Sequence, residues 1–181
     1  MSKLTNQRYE EIKQIVVDMF ETYQITCVPI SGFEIAVRMN VPIIPYSAFD
    51  KNIRKLLCKK SEDGFTAIDY GKYTIYYNDA KDYKRINNTI MHEIGHVVLG
   101  HLEESDLAEA EVRFFAKYAL APPALIHKLK LYYPEEISDI FSISYEAARY
   151  AYDYYQKWLY FGSGDYTAYE IRTLELFKEV M

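Results

Sequence analysis

The chain has 181 residues, half of them hydrophobic and 26% charged, a globular profile with enough apolar mass for a real core. A formal net charge of -5 argues against a surface built mainly to coat nucleic acid, though not against one local basic patch. Cys27 and Cys58 are too few for a disulfide framework, the start "MSKLTNQRYEE" is too polar for a signal peptide, and no apolar run reaches the roughly 20 residues of a bilayer span, so a reduced, cytoplasmic setting is expected.

Taken in order, "QRYEEIKQIVVDMFETY" sets Tyr9, Ile12, Ile15/Val16 and Met19/Phe20 at helical spacing and predicts an amphipathic helix. "ISGFEIAVRMN" reads as a short helix started by Ser31. The two prolines of "VPIIPYS" forbid a helix interior, so that piece is extended. "DKNIRKLLCKK" forms a brief basic helix. The runs "FTAIDY" and "YTIYYN", separated by "GK", are short and rich in β-branched and aromatic residues, and they predict a hairpin. Helical periodicity returns from Asp82 to Leu99, where Gly100 is a natural C′ residue, and again from about Asp106 to Leu120, stopping at "APP". After Pro123 the chain is all-helical: "PALIHKLKLYY", "PEEISDIF", "SYEAARYAYDYYQKWLY" and "DYTAYEIRTLELFKEVM", with "FGSGD" (Phe161 to Asp165) as the clearest joint. The 19 tyrosines are expected largely at the rim of the core, where their hydroxyls find partners.

Three of the four histidines lie in "TIMHEIGHVVLGH". His92 and His96 are four apart, so on a helix they share one face about a turn apart, close enough for two imidazoles to reach one ion at about 2.0–2.1 Å. Glu93, one residue round, is placed to act as general base toward a metal-bound water. Behind them Ile86, Ile90, Ile94 and Val97 form a core-facing stripe. An isolated histidine is more often structural, but here the interleaved apolar residues and the hairpin upstream favour a metal site.

The third ligand is less direct. His101 completes no three-histidine pattern, because it stands five rather than six residues after His96, and on a continuing helix it lies opposite His92; a surface or C-terminal capping role is expected. Glu111 interrupts the apolar stripe Leu107, Ala108, Phe114, Phe115 and Tyr118, and an unpaired buried carboxylate is costly, so it is the candidate ligand, the alternative being a buried pair with a Lys or Arg. Glu109 shares its face with Ser105, Asp106, Arg113 and Ala116, which reads as solvated, and it can close a capping box with Asp106. His127 is a possible oxyanion donor or a surface residue; among the tyrosines no choice is possible.

"RINNTIMHEIGHVVLGH" followed by "EAEVRFFAKYALAPP" resembles the ImmA/IrrE family of zinc metallopeptidases, whose second motif runs roughly E-A-N-x-F-A-x-x-L-L-x-P. Here it stands as Glu111, Val112, Arg113, Phe115, Ala116, Ala119, Leu120 and Pro122, departing at Val112 and Arg113. The resemblance implies His92, His96 and Glu111 as ligands of Zn²⁺ and Glu93 as catalytic base. It implies an α+β, mostly helical fold, with a small antiparallel or mixed sheet packed on the H-E-x-x-H helix. A zincin-like core is expected over residues 1–122, with a helical, helix-turn-helix-like region over 123–181 packed on it. It further implies a cytoplasmic endopeptidase acting on a helix-turn-helix repressor of a phage, mobile element or stress response. The strand "YTIYYN" is expected to hold extended substrate as an added strand.

Two other readings compete. In "EEISDIFSISYEAARYAYDYY" a short helix, a turn and a second helix suggest a DNA-binding regulator, but one arginine, Arg149, gives the second helix little basic character, so direct nucleic-acid binding is not expected. A non-catalytic, metal-stabilised binding module would close the metal's fourth position with a protein ligand, for which Cys27 or Cys58 would serve.

Overall fold

Side-chain caps set where the helices begin. Thr5, Ser31, Asp50, Asp82, Ser105 and Ser144 each accept from a backbone N–H in the first turn of the helix that follows, satisfying donors that have no partner inside it. The computed structural model describes residues 4–103, 105–162 and 165–179. In chain order they form α1 (Asn6–Thr22), α2 (Gly32–Arg38), β1 (Ile43–Pro45), a 3₁₀ turn (Tyr46–Ala48), α3 (Lys51–Lys60), β2 (Gly64–Asp69), β3 (Lys72–Tyr77), α4 (Tyr83–Leu99) and α5 (Asp106–Leu120). The chain continues with α6 (Pro123–Lys128), α7 (Pro134–Ile140), α8 (Tyr145–Phe161) and α9 (Ala168–Leu176). Of the "FGSGD" joint, residues 163 and 164 lie outside the described residues; Phe161 ends α8 and Gly162 caps it.

The fold is α+β, with a small mixed sheet of strand order β1-β3-β2. β2 and β3 are antiparallel, and β1 joins β3 in parallel, pairing Ile43 with Ile75. The hairpin turns at Tyr70 and Gly71, both at positive φ (46° and 74°), a two-residue turn whose twist matches the strands it joins; Lys72 therefore begins β3 rather than belonging to the turn. On one face of the sheet Phe65 stacks on Tyr76 at 5.2 Å between ring centroids, beside buried Tyr46 of the 3₁₀ turn. On the other, the fully buried Ile75 belongs to the core cluster that includes Ile90, Met91 and Ile94 of α4.

That cluster runs without a break through Ile12, Val16 and Phe20 of α1, Phe115 and Ala119 of α5, and on into Leu125, Ile126, Phe141, Ala148 and Phe177. The helices after Pro123 thus bury their apolar faces against the same core as the helices before it. Burial of such side chains contributes roughly 1.5–3 kcal/mol each. A polar clamp ties α4 to the loop entering α2: the buried Asn87 amide accepts from Gly32 N–H at 2.7 Å and donates to the Ile30 carbonyl at 3.0 Å.

Two glycines shape the helical hairpin of α4 and α5. At Gly95 an added Cβ would meet Phe115 Cδ1 at 3.0 Å and Val112 Cβ at 3.2 Å, so the missing side chain is what lets α5 lie close. Gly100 takes the left-handed conformation (φ 70°), and the N–H groups of Gly100 and His101 return to the Val97 and His96 carbonyls, a Schellman-type stop that reverses the chain.

Candidate metal centre

One turn of α4 separates His92 from His96 and places their rings 5.2 Å apart between centroids. Across from them, α5 presents Glu109. Its Oε1 lies 3.3 Å from His96 Nε2 and its Oε2 lies 3.6 Å from His92 Nε2. Among the described residues, these three side chains form the group with metal-ligand chemistry, one donor atom from each within 4.8 Å of the others. Ligand atoms about 2.0–2.1 Å from one tetrahedral ion lie about 3.3–3.4 Å from one another; the two Glu109 oxygens stand 3.3 and 3.6 Å from the imidazole they each face. Burial pushes the His92 imidazole below its ordinary pKa, with Glu109 pulling the other way, so near neutrality the ring has a lone pair to offer.

Glu93, on the same helix, reaches toward β2. It is 7% exposed, and its Oε2 accepts a 2.8 Å hydrogen bond from Thr66 Oγ1 on β2. Thr66, Tyr73, His92, Glu93, His96 and Glu109 line a single cleft of about 510 Å³. β2 is an edge strand and borders this cleft through Gly64, Phe65 and Thr66, whereas β3 is paired on both sides. The expectation that "YTIYYN" would take up an extended chain is therefore corrected: β3 has no open edge, and β2 has one. Tyr73 is the cleft's tyrosine among the described residues. No sequence signal singled out Thr66 or Tyr73, since both depend on strand register.

Glu111, expected beside the histidine pair, is held apart from it. The structure brings Glu109 there instead. Two residues on a helix are about 200° apart, so the two carboxylates point to opposite sides. Glu111 faces α1: Arg8 grips it through Nε to Oε1 and Nη2 to Oε2, both at 2.8 Å, and this pairing holds its pKa below the ordinary carboxylate value. The alternative of a buried arginine pair is the one that holds. Glu109 closes no capping box with Asp106: the N-cap is Ser105, accepting from Ala108 N–H at 3.0 Å, which leaves the Glu109 carboxylate for the histidines, with Arg113 3.7 Å away. His101 also differs from expectation. Because Gly100 reverses the chain, His101 turns back, with Nδ1 3.3 Å from His96 Nδ1 and Nε2 2.9 Å from Glu111 Oε2. His127 lies on α6, its Nδ1 2.9 Å from the Tyr155 hydroxyl, and lines a different cavity beside Trp158 and Tyr166. Cys27 and Cys58 are exposed, and neither belongs to the donor group.

The model of the Peptidase_M78 family, the IrrE N-terminal-like domain, matches residues 43–152, more than half of the chain. The chain belongs to this family. The match of the IrrE N-terminal-like domain runs from β1 through the sheet, α4 and α5 and into α8, so it extends well past Pro123 and takes in both helices that present the donor atoms. Membership makes the protein a member of a metallopeptidase family, in keeping with the His-His-Glu group. No curated protein matches the chain. No helix among the described residues is long and apolar enough to cross a membrane.

Proposed function

We propose that this protein is a zinc-dependent endopeptidase in which His92, His96 and Glu109 hold the ion and Glu93 is the general base. The observation that carries the reading is the meeting of Glu109 with both imidazoles at 3.3 and 3.6 Å, with Glu93 lining the same cleft. Two neutral imidazoles and one carboxylate are the donor set of hydrolytic zinc sites, which keep a fourth position for water; closed structural sites use four protein ligands, often cysteines. When bound, the ion supplies a water of lowered pKa and Lewis-acid polarisation of the scissile carbonyl.

The chain's own residues then divide the work. Glu93 takes the attacking water's proton and passes it to the leaving amine. Thr66, by donating to Glu93, aims that carboxylate. The open edge of β2 hydrogen-bonds an extended substrate backbone along the cleft. The substrate we propose is a helix-turn-helix transcriptional repressor of a phage, mobile element or stress response, cleaved in the cytoplasm; this rests on the likeness to ImmA/IrrE proteins.

The test is incubation of the zinc-loaded protein with a helix-turn-helix repressor encoded beside it, followed by mass spectrometry of the products. Cleavage is expected with the wild type, absent with chelator, and reduced by about 10²–10⁴-fold in Glu93→Gln, which still binds zinc. Undiminished cleavage by Glu93→Gln would overturn the assignment of the base.

A further inference from the structure

One turn before His92 on α4 stands Asn88, an exposed residue that lines two cavities. The first is the cleft of the metal centre. The second, of about 700 Å³, lies between α4, α5 and the start of α8, so the two cavities meet at one side chain. The packing of β2 shows which end of the cleft this is. A Cβ added at Gly64 would meet Thr89 Cγ2 at 2.7 Å, and Thr66 bonds Glu93, so β2 and α4 run in the same direction. A chain laid on the open edge of β2 thus reaches, at one end, past Asn88 to the second groove. Lys84, Lys117 and Arg149 line that groove. Lys117 ends the row Glu109, Arg113, Lys117 on α5, and its Nζ lies 3.5 Å from the centre of the Tyr150 ring. Arg149 is exposed and has no ion pair among the described residues. Two other charges on the wall are already committed: Arg85 holds Asp63 at 2.6 and 3.0 Å, and Asp82 caps α4. The remaining carboxylates are Glu146 and Asp153 of α8. At Lys117 the cations prevail: partial burial lowers its pKa, and the repulsion of Arg113, which lowers it further, outweighs the pull of Glu146. The opposite end of the cleft, past His101, carries Glu103.

We propose that this groove continues the substrate cleft, and that Lys117 and Arg149 in it select a peptide carrying an acidic side chain on one side of the scissile bond. The proposal rests on the reading of the cleft as a peptidase site. From His92 back to Lys84, α4 spans about 12 Å, the length of about four extended residues, so the acidic residue stands about three to five residues from the bond that is cut. The Asn88 carboxamide offers two donor hydrogens and an acceptor oxygen, the complement of a peptide group, where the chain crosses from cleft to groove. A single exposed ion pair gains little, so the preference comes from two cations acting together and is weakened by salt.

The test uses the full chain without added zinc and two dye-labelled dodecapeptides of alanine, serine and leucine, one carrying a Glu-Glu pair and its twin carrying Gln-Gln. Fluorescence anisotropy reads affinity, and amide NMR shifts read where the peptide lies. At about 50 mM salt the Glu-Glu peptide is expected to bind about 5–20-fold more tightly than its twin, a difference that shrinks at high salt. In the double variant Lys117→Met, Arg149→Met the difference should fall below about twofold. The same peptide should shift the amides of Asn88 and Lys117 and also that of Thr66 on β2. Equal binding of the two peptides, a preference kept by the double variant, or shifts that stop short of β2 would overturn the proposal. So would a short duplex DNA that binds more tightly than the Glu-Glu peptide through the same two cations, which would mark the groove as a nucleic-acid site. If thermal unfolding shows that the double variant does not fold, Arg149→Glu on the exposed face decides, because it should abolish the preference alone. Failure of the peptidase reading looks different: wild type would still prefer the Glu-Glu peptide, yet would cut no repressor.

Discussion

Replacing Gly95 by Ala adds one methyl group where α4 and α5 touch. The new Cβ would lie 3.0 Å from Phe115 Cδ1 and 3.2 Å from both Val112 Cβ and Cγ1. Ordinary contacts there begin at 3.4 Å, so α5 must yield by a few tenths of an ångström. Two effects on stability oppose each other. Alanine improves intrinsic helix propensity by about 1 kcal/mol, while overpacking costs about 1–3 kcal/mol. The net change should be a loss of about 0–2 kcal/mol, modest in thermal unfolding. The proposed metal centre is less tolerant, because donor distances need to hold within about 0.2 Å. Glu109 rides on α5 three residues before Val112, so a displacement of that size carries it out of range of His92 and His96. Zinc affinity should fall by about tenfold or more even where the fold survives. A competition titration beside a melting curve reads both quantities. A variant with wild-type zinc affinity and a raised melting temperature would refute the idea that the close approach at Gly95 sets the position of Glu109.

Thr66→Val removes the hydroxyl that donates to Glu93. A hydrogen bond to a charged group contributes about 1.5–3 kcal/mol, so kcat should fall about 10–100-fold with zinc affinity unchanged, and Thr66→Ser should retain most of the activity. Asn87→Ala leaves the Gly32 N–H and the Ile30 carbonyl without the partner they share. Urea unfolding should show a loss of about 2–4 kcal/mol, and a loss below about 0.5 kcal/mol would mean that the clamp is not structural.

The periodic elements were legible in the sequence because their signals are local. Ile12, Val16 and Phe20 repeat at helical spacing, Ser31 and Asp82 are caps, and the β-branched, aromatic runs either side of Gly71 form the hairpin. The H-E-x-x-H face was legible for the same reason, since a spacing of four on a helix dictates proximity. What could not be read depended on how elements meet. β1 joins β3 in parallel across a long sequence gap, so nothing local revealed that β3 is central and β2 carries the open edge. The third carboxylate is a question of helical phase. The apolar stripe of α5 points to the inward-facing Glu111, yet that face meets α1 and Arg8, while the histidines sit at the flank reached by Glu109. Helical spacing puts His101 opposite His92, but Gly100 ends the helix before it. The sequence did mark Gly100 as a terminator, and the reversal that follows from its left-handed backbone is what returns His101 to His96.

The most direct measurement is a crystal structure of the zinc-loaded protein with data collected on both sides of the zinc absorption edge, so that the anomalous signal locates the ion. The expected result is one zinc about 2.0–2.2 Å from His92 Nε2, His96 Nε2 and a Glu109 oxygen, with Glu111 still on Arg8 and His101. An ion bound by Glu111, or one whose shell leaves Glu109 out, would contradict it.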